Sequence, residues 1–364
     1  MLISSDTTQI IDFIGGGNSV FYLFLIALLI LLDIFKKRFK LDKVNSIVLL
    51  LMIMVYGIRY NVGMDYFSYM YSYNSPTIIV DEIIYSLFEN AFLSLGFDFV
   101  VFNFFLGIVL FAGLYFISKI YSIDFIRLVI LFIITDQLFV SFNLMRQSLA
   151  GIFLVISLYY ASEKRFVKFL IAVLIASGFH FSAIIFLPLY FISRRKINIV
   201  MAIILLFWGL ILYKINIFEV NWIQNFIPLQ YRHHIGGQFD VDASPGLGVF
   251  FYVVTALLLS IIVEKKNYHI LPLTNLYIAS YTLALFTLQS YILIRIPRYS
   301  FYGLPVILLT LVGNERLRFN KINIKKLIGL ILIIAFILLF LLSIYNIEFG
   351  NDYRNLYYKT IFSR

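Results

Sequence analysis

Apolar runs of close to twenty residues recur along the chain from Val20 to Tyr345, separated by short polar stretches in which the charges gather. Each run is long enough to cross ~30 Å of hydrocarbon. Period-two alternation is absent, so the pattern predicts helices rather than barrel strands. Spans are predicted near 19–35, 44–58, 98–118, 125–142, 146–162, 166–178, 181–193, 197–213, 247–263, 270–290, 297–312 and 327–345. The stretch 125–161 would be ~55 Å long as one helix, too long for one crossing, so it must turn inside, around Asn143–Arg146. The expected fold class is all-α: a polytopic integral membrane protein of about 12 transmembrane helices, forming a single transmembrane domain over 1–364.

The stretch 166–193 is short for two spans and long for one, and charge decides it. Read as a hairpin turning at Gly178–His180, it puts 20 Lys and Arg on one side of the membrane and 9 on the other. Read as one span, it gives 17 against 12. The positive-inside rule prefers the hairpin. Both termini then lie outside, as do two larger loops, 59–97 and 214–246, which are expected to contribute to the active-site face. In the first loop Ile83, Ile84, Leu87, Phe88, Ala91, Phe92 and Leu95 share one helical face, opposite Asp81, Glu82, Glu89 and Asn90. That pattern predicts an amphipathic helix lying at the interface.

Composition agrees: hydrophobic residues make up 62% of 364 and charged residues 13%, against roughly a quarter charged in soluble domains. The net charge of +10 sits in short clusters between apolar runs, which is loop topology and not a nucleic-acid footprint. Cysteine is absent, excluding thiol catalysis, disulfides and Cys-ligated metal. The first eighteen residues hold Asp6 and Asp12 but no Lys or Arg, so the first apolar run reads as a retained span and not a signal peptide.

The inner basic residues need no explanation beyond topology. The outer ones are isolated at span ends: Arg59, Arg146, Arg232, Arg295 and Arg298, with His180, His233 and His234. Ionisable groups at membrane depth are costly and tend to face internal cavities. Scattered headgroup anchors would have no reason to avoid Lys, yet outside the tail that face has one, Lys214. Guanidinium forks suit phosphate and pyrophosphate. The densest stretch runs from Arg59 to Tyr69, with Gly63 allowing a tight turn, Asp65 as a carboxylate, and Tyr56, Tyr60, Tyr66, Tyr69, Tyr71 and Tyr73 around it. Tyrosines at an interface fit an aromatic belt, and they also stack on sugar faces, so a glycan groove is the competing reading. Asp65 reads equally as a base or as the partner of Arg59 or Arg146. His180 reads as a catalytic group or as a neutral histidine bonded to backbone. Asp240-Val241-Asp242 has the form of a metal site but lies on an outside loop, where a solvated loop is the stronger reading. Asp136, in the fourth span, is either a buried paired group or a transporter's relay carboxylate.

Arg59-Tyr60-x-x-Gly63-x-Asp65-Tyr66-x-x-Tyr69 resembles the signature of the EpsG-like family of bacterial polysaccharide polymerases, which belong with the Wzy-type O-antigen and capsule polymerases. Phe142 to Ala150, with Arg146-Gln147, resembles that family's Arg-Gln motif. Ala176 to Ala183, with His180, resembles its Ala-x-x-x-His segment, and Arg298-Tyr299 its late arginine. Met64 stands where the family usually has Thr. The resemblance implies an enzyme of the bacterial cytoplasmic (inner) membrane whose active site faces the periplasm or exterior. It would polymerise undecaprenyl-pyrophosphate-linked oligosaccharide repeat units, which serve as both donor and acceptor, without metal or other cofactor. A chain-length regulator and a flippase are the implied protein partners, with membrane lipids around it and no nucleic acid. Arg59, Arg146 and Arg298 would hold pyrophosphate and Asp65 or His180 would act as base. Tyr60, Gly63, Tyr66, Tyr69, Gln147, Arg232, His233, Arg295 and Tyr299 would bind substrate. The competing classes are a flippase for the same lipid-linked oligosaccharide and a ligase that moves finished glycan to another acceptor.

Overall fold

The computed structural model describes residues 20–75, 82–215, 247–287, 293–313, 324–348 and 356–363. Among these residues the chain is all-helical, with fifteen α-helices, short 3-10 segments and no strand. They are α1 (Val20–Phe39), α2 (Val44–Gly57), α3 (Tyr66–Asn74), α4 (Ile83–Ser94), α5 (Phe99–Ile120), α6 (Phe125–Ile134), α7 (Gln137–Asn143), α8 (Met145–Ser162), α9 (Phe166–Phe179), α10 (Leu189–Ile192), α11 (Ile199–Ile215), α12 (Leu247–Ile262), α13 (Leu271–Thr287), α14 (Leu304–Val312) and α15 (Ile324–Glu348). The predicted turns at Asn143–Arg146 and Gly178–His180 fall where α7 and α9 end.

Among the described residues, two helices are apolar enough over a sufficient length to span a membrane by themselves, within Phe99–Ile120 and Ile324–Ile347. The predicted span 125–142 is instead broken: α6 and α7 meet at 67°. The break has a local cause. Asp136 adopts a left-handed backbone with φ of 70°, its N–H donates to the Ile133 carbonyl, and the Gln137 amide turns back to the Thr135 carbonyl at 2.7 Å. The predicted arm 181–193 is a 3-10 segment, Phe181–Phe186, followed by the four-residue α10, with Pro188 between them. Proline has no N–H to offer and fixes φ, which ends a helix from its N-terminal side. The predicted span 297–312 opens as a 3-10 segment over Leu293–Gly303, which contains Pro297, before α14.

The chain forms two compact units, one of residues 1–154, 172–184 and 333–364, the other of 155–171 and 185–332. No linker or shift in composition marks the division. In the first unit α2 packs along α5, where the Asn103 amide donates to the last carbonyls of α2, Tyr56 at 3.0 Å and Gly57 at 3.2 Å. At the other end of this unit α1 and α6 are tied by Lys36–Asp124 (2.7 Å) and Arg127–Asp33 (3.4 Å). Asp33 and Asp124 are thus consumed by neighbouring cations. In the second unit α13 is the central helix, contacted by α11, α12 and the 293–303 segment. Its Asn275 donates to the carbonyls of Ile192 and Arg195, holding the loop after α10.

A C-terminal segment that the hydrophobic pattern did not foretell closes the first unit. Leu356, Tyr358 and Thr360 are buried. Thr360 forms an antiparallel bridge with Arg59, the Tyr358 hydroxyl donates to the Val55 carbonyl at 2.7 Å, and the Tyr22 hydroxyl donates to the Leu356 carbonyl at 2.7 Å. The Phe21 ring stacks on Tyr358 at 3.8 Å.

Candidate functional site

The site grows from the end of α2. Arg59 follows that helix and is wholly buried. Its Nη1 donates to the Tyr56 carbonyl at 2.9 Å, its Nη2 to Met145 Sδ at 3.2 Å, and its guanidinium lies 3.8 Å from the Tyr56 ring and 4.9 Å from the Phe142 ring. Among the described residues no carboxylate lies within ion-pair distance of it. A guanidinium is weakly hydrated and stacks on aromatic faces, so it tolerates this setting where an ammonium would not. The guanidinium has no exposed surface in this arrangement.

After Arg59 the chain turns through Gly63, whose φ is +97°. A Cβ there would lie 2.7 Å from the Phe142 carbonyl oxygen, so both the backbone conformation and the close approach require glycine. The next residue, Met64, donates its N–H to Asn143 Oδ1 at 2.7 Å. The first motif is thereby docked on the turn that carries the second. Of the tyrosines, Tyr56, Tyr66, Tyr69 and Tyr73 are buried, Tyr60 is half-buried and Tyr71 is exposed. Tyr66 packs edge-on against Tyr60, Phe67 and Phe99. These rings are the core of the loop more than the lining of an open groove. Asp65, partly exposed, stands at the start of α3, where its carbonyl accepts the Tyr69 N–H.

The turn Asn143–Met145 delivers Arg146 to the first residues of α8. Arg146 Nη1 lies 2.7 Å from Glu82 Oε2, and its guanidinium sits 5.4 Å from both the Tyr69 and Tyr85 rings. The other oxygen of the same carboxylate, Glu82 Oε1, lies 2.9 Å from His180 Nδ1, at the hairpin turn after α9. Arg146 and His180 keep part of their side chains exposed, 30% and 25%, while Glu82 keeps 7%. The solvent-reachable groups are therefore the cation and the imidazole, with the carboxylate beneath them. Gln147 is buried one residue beyond Arg146.

Burial pushes the Glu82 carboxyl up, but the His180 hydrogen bond and the Arg146 charge outweigh it and hold the group below its ordinary range. Ionised, it accepts hydrogen bonds only, so His180 Nδ1 is the donor, and in the neutral imidazole the lone pair lies on Nε2. Glu89, also buried on α4, goes the other way: desolvation and the charge of Glu82 raise it, with only partial relief from Arg146. Among the described residues its Oε1 has no hydrogen-bond partner, and neither has the buried Tyr85 hydroxyl.

Glu82 was not among the residues expected at the site. It was legible only as one acid on the polar side of the amphipathic helix. The helix is there as α4, and two of its acids are buried in protein. Ile83, Leu87 and Leu95 are exposed, whereas Glu82, Tyr85 and Glu89 are buried. Glu82 and Glu89 face protein while Asn90 is exposed, and Ile84 packs onto Gly178, where an added Cβ would lie 2.4 Å from Ile84 Cγ1. Positions 82, 85 and 89 fall on one helical face, and that spacing was the available signal.

Arg298 and Tyr299 belong to the second unit. Arg298 is exposed on the 3-10 segment, and Tyr299 is buried with its ring edge-on to Phe186 at 5.2 Å. Arg232, His233, His234, Asp240, Asp242 and the side chain of Arg295 lie outside the described residues. Among the described residues no group of three or more metal-ligating side chains is assembled.

A chain of apolar helices with large exposed aliphatic and aromatic side chains, such as Leu31, Leu50, Phe191, Phe207 and Leu338, is a membrane protein. It belongs to the EpsG family, whose profile matches residues 42–360. That family includes Wzy-like polymerases and is associated with polysaccharide polymerase and glycosyltransferase-like activity, which makes this a membrane-associated protein of polysaccharide biosynthesis. No curated protein and no solved structure matches the chain.

Proposed function

We propose that the protein polymerises undecaprenyl-pyrophosphate-linked oligosaccharide repeat units into O-antigen, capsular or exopolysaccharide. The proposed setting is the outer leaflet of the bacterial cytoplasmic membrane, in a chain that crosses about twelve times. The observation that carries this reading is the Arg146–Glu82–His180 cluster, which sets a partly exposed guanidinium and a partly exposed imidazole on one carboxylate. In the proposed step, a hydroxyl of the acceptor sugar attacks the anomeric carbon of the donor. The new glycosidic C–O bond forms as the bond from that carbon to the phosphate oxygen breaks, and its electron pair leaves with the lipid pyrophosphate. Arg146 holds the developing negative charge. The hydroxyl proton passes to His180 Nε2, with Asp65 as the alternative acceptor. Pyrophosphate leaves without a protonated acid, so the step needs cations to hold its charge, and in this scheme arginine supplies them in place of a metal. Arg59 supports the loop from within.

The test uses purified full-length protein and lipid-linked repeat units in excess EDTA. Polymer is expected from the native protein, with Arg146→Lys losing tenfold to a thousandfold in rate, since Lys keeps the charge and loses the fork. Activity abolished by EDTA and restored by a divalent ion would overturn the mechanism. One feature favours a second reading, transport of the same lipid: the helix break at Asp136, since discontinuous helices line transporter pathways. Movement of labelled lipid-linked oligosaccharide across vesicles without polymer formation would favour it.

A further inference from the structure

Both oxygens of Glu82 are engaged by groups of different duty, Oε2 by Arg146 at 2.7 Å and Oε1 by His180 at 2.9 Å. Resting on the polymerase reading, we propose that Glu82 is a positioning residue that couples pyrophosphate binding at Arg146 to the readiness of His180 to take a proton. A guanidinium has five N–H donors but one charge. When a pyrophosphate draws that charge toward itself, the hold of Arg146 on Oε2 weakens, and the carboxylate turns its charge toward the Nδ1–H of His180. The imidazole then accepts the acceptor's proton at Nε2 with a full anion behind it, and the proton on Nδ1 stays where it is. Before the donor binds, the carboxylate is shared and the imidazole is the weaker base, so an acceptor arriving alone is not deprotonated.

The surroundings favour such a hand-over. Tyr69 and Tyr85 flank Arg146, and Glu89 is the other carboxyl on the buried face of α4, held toward its neutral form by desolvation. Glu82 is therefore the ionised carboxylate that Arg146 and His180 share. Its helix is fixed from the far side as well, through Ile84 against Gly178, two residues before His180. Linkage makes the effect reciprocal: whatever frees Arg146 from Glu82 strengthens anion binding, and whatever frees Glu82 from His180 weakens it.

The experiment is inorganic pyrophosphate titrated calorimetrically into the detergent-purified full chain, paired with polymerisation rates on lipid-linked repeat units. Glu82→Gln keeps the shape and an oxygen for His180 but removes the charge. It is expected to bind pyrophosphate three- to tenfold more tightly than the native protein while turning over at least tenfold more slowly. A plain structural ion pair predicts loss of both. Adding His180→Ala to Glu82→Gln is expected to slow turnover no further than His180→Ala alone, because Glu82 acts through the imidazole. Equal or weaker pyrophosphate binding by a folded Glu82→Gln protein, or additive losses in the double variant, overturns the coupling. If Glu82→Gln does not accumulate, His180→Ala carries the test. Both oxygens then turn to Arg146, and pyrophosphate is expected to bind three- to tenfold more weakly, with unchanged binding overturning the proposal. Tighter binding by Glu82→Gln in a protein whose native form makes no polymer would leave the shared carboxylate standing and remove the polymerase reading alone.

Discussion

Replacing Arg59 by lysine and by methionine separates a supporting cation from one that meets substrate. The native guanidinium is stacked on Tyr56 at 3.8 Å and lies near Phe142 at 4.9 Å, and it donates to the Tyr56 carbonyl at 2.9 Å. A desolvated cation–π contact is worth about 2 kcal/mol, and a hydrogen bond from a charged donor ~1.5–3 kcal/mol. Lysine can keep one hydrogen bond but loses the planar stacking, and its more strongly hydrated ammonium would be buried without a carboxylate. Arg59→Lys is therefore expected to lose roughly 2–4 kcal/mol of stability. Arg59→Met removes the buried charge and lays a flexible thioether on the same rings, so it is expected to stay within about 1 kcal/mol of the native protein and to keep making polymer. The assay is the fraction of detergent-solubilised protein surviving a heat series, run beside polymer length in a strain lacking the gene. Arg59→Lys as stable as the native protein would refute the packing argument. A stable Arg59→Met that makes no polymer would show Arg59 acting on substrate.

Three further outcomes are expected. Cysteine introduced at Phe181 labels from outside the cell and one at Lys196 does not; labelling at 196 from outside would remove the hairpin and the outer clustering of arginines with it. Gly63→Ala forces a side chain against the Phe142 carbonyl at an unfavourable φ, and is expected to cost about 2–4 kcal/mol and shorten or abolish polymer, read by the same heat series and gel. Glu89→Gln relieves a buried carboxyl whose folded-state value is raised. The native protein loses stability as pH rises from the ordinary carboxylate range through the raised value, so the variant's advantage should be small at pH 4.5 and grow toward pH 8. An advantage that shrinks with pH would contradict the assignment.

Helix positions were readable because apolar run length is set by the hydrocarbon slab; the turn at Asn143 followed from a run too long for one crossing, and the turn at Gly178 from the balance of basic residues between the two sides. What ran against the pattern was local. Asp136 breaks a run whose hydropathy is continuous, because one left-handed residue and two hydrogen bonds decide it. Pro188 shortens the arm after His180 in the same way. Within the site, Arg146 and His180 stood out as ionisable residues on one face, and the structure places them on a shared carboxylate. Glu82 did not stand out, because an acid on the polar side of an amphipathic helix is ordinarily solvated. Only the packing of α4, with its aliphatic side turned outward, makes that acid an interior residue. Arg59 was legible as an arginine at a helix end but not as a buried one, since Phe142 and Met145, which flank its guanidinium, lie more than eighty residues away in the chain.

The C-terminal segment has a consequence for the order of events at the ribosome. Tyr358 and Val55, joined by a hydrogen bond, are 303 positions apart. At ~5–20 residues per second, the strand of chain that covers the end of α2 is made some 15–60 s after the helix it covers. For that interval the end of α2 lacks its partner, and the Arg59 backbone awaits Thr360. The loop after α2 therefore acquires its final form only after synthesis has passed residue 363. A nascent chain stalled or cut before then would carry every span and every site residue and still lack the finished loop.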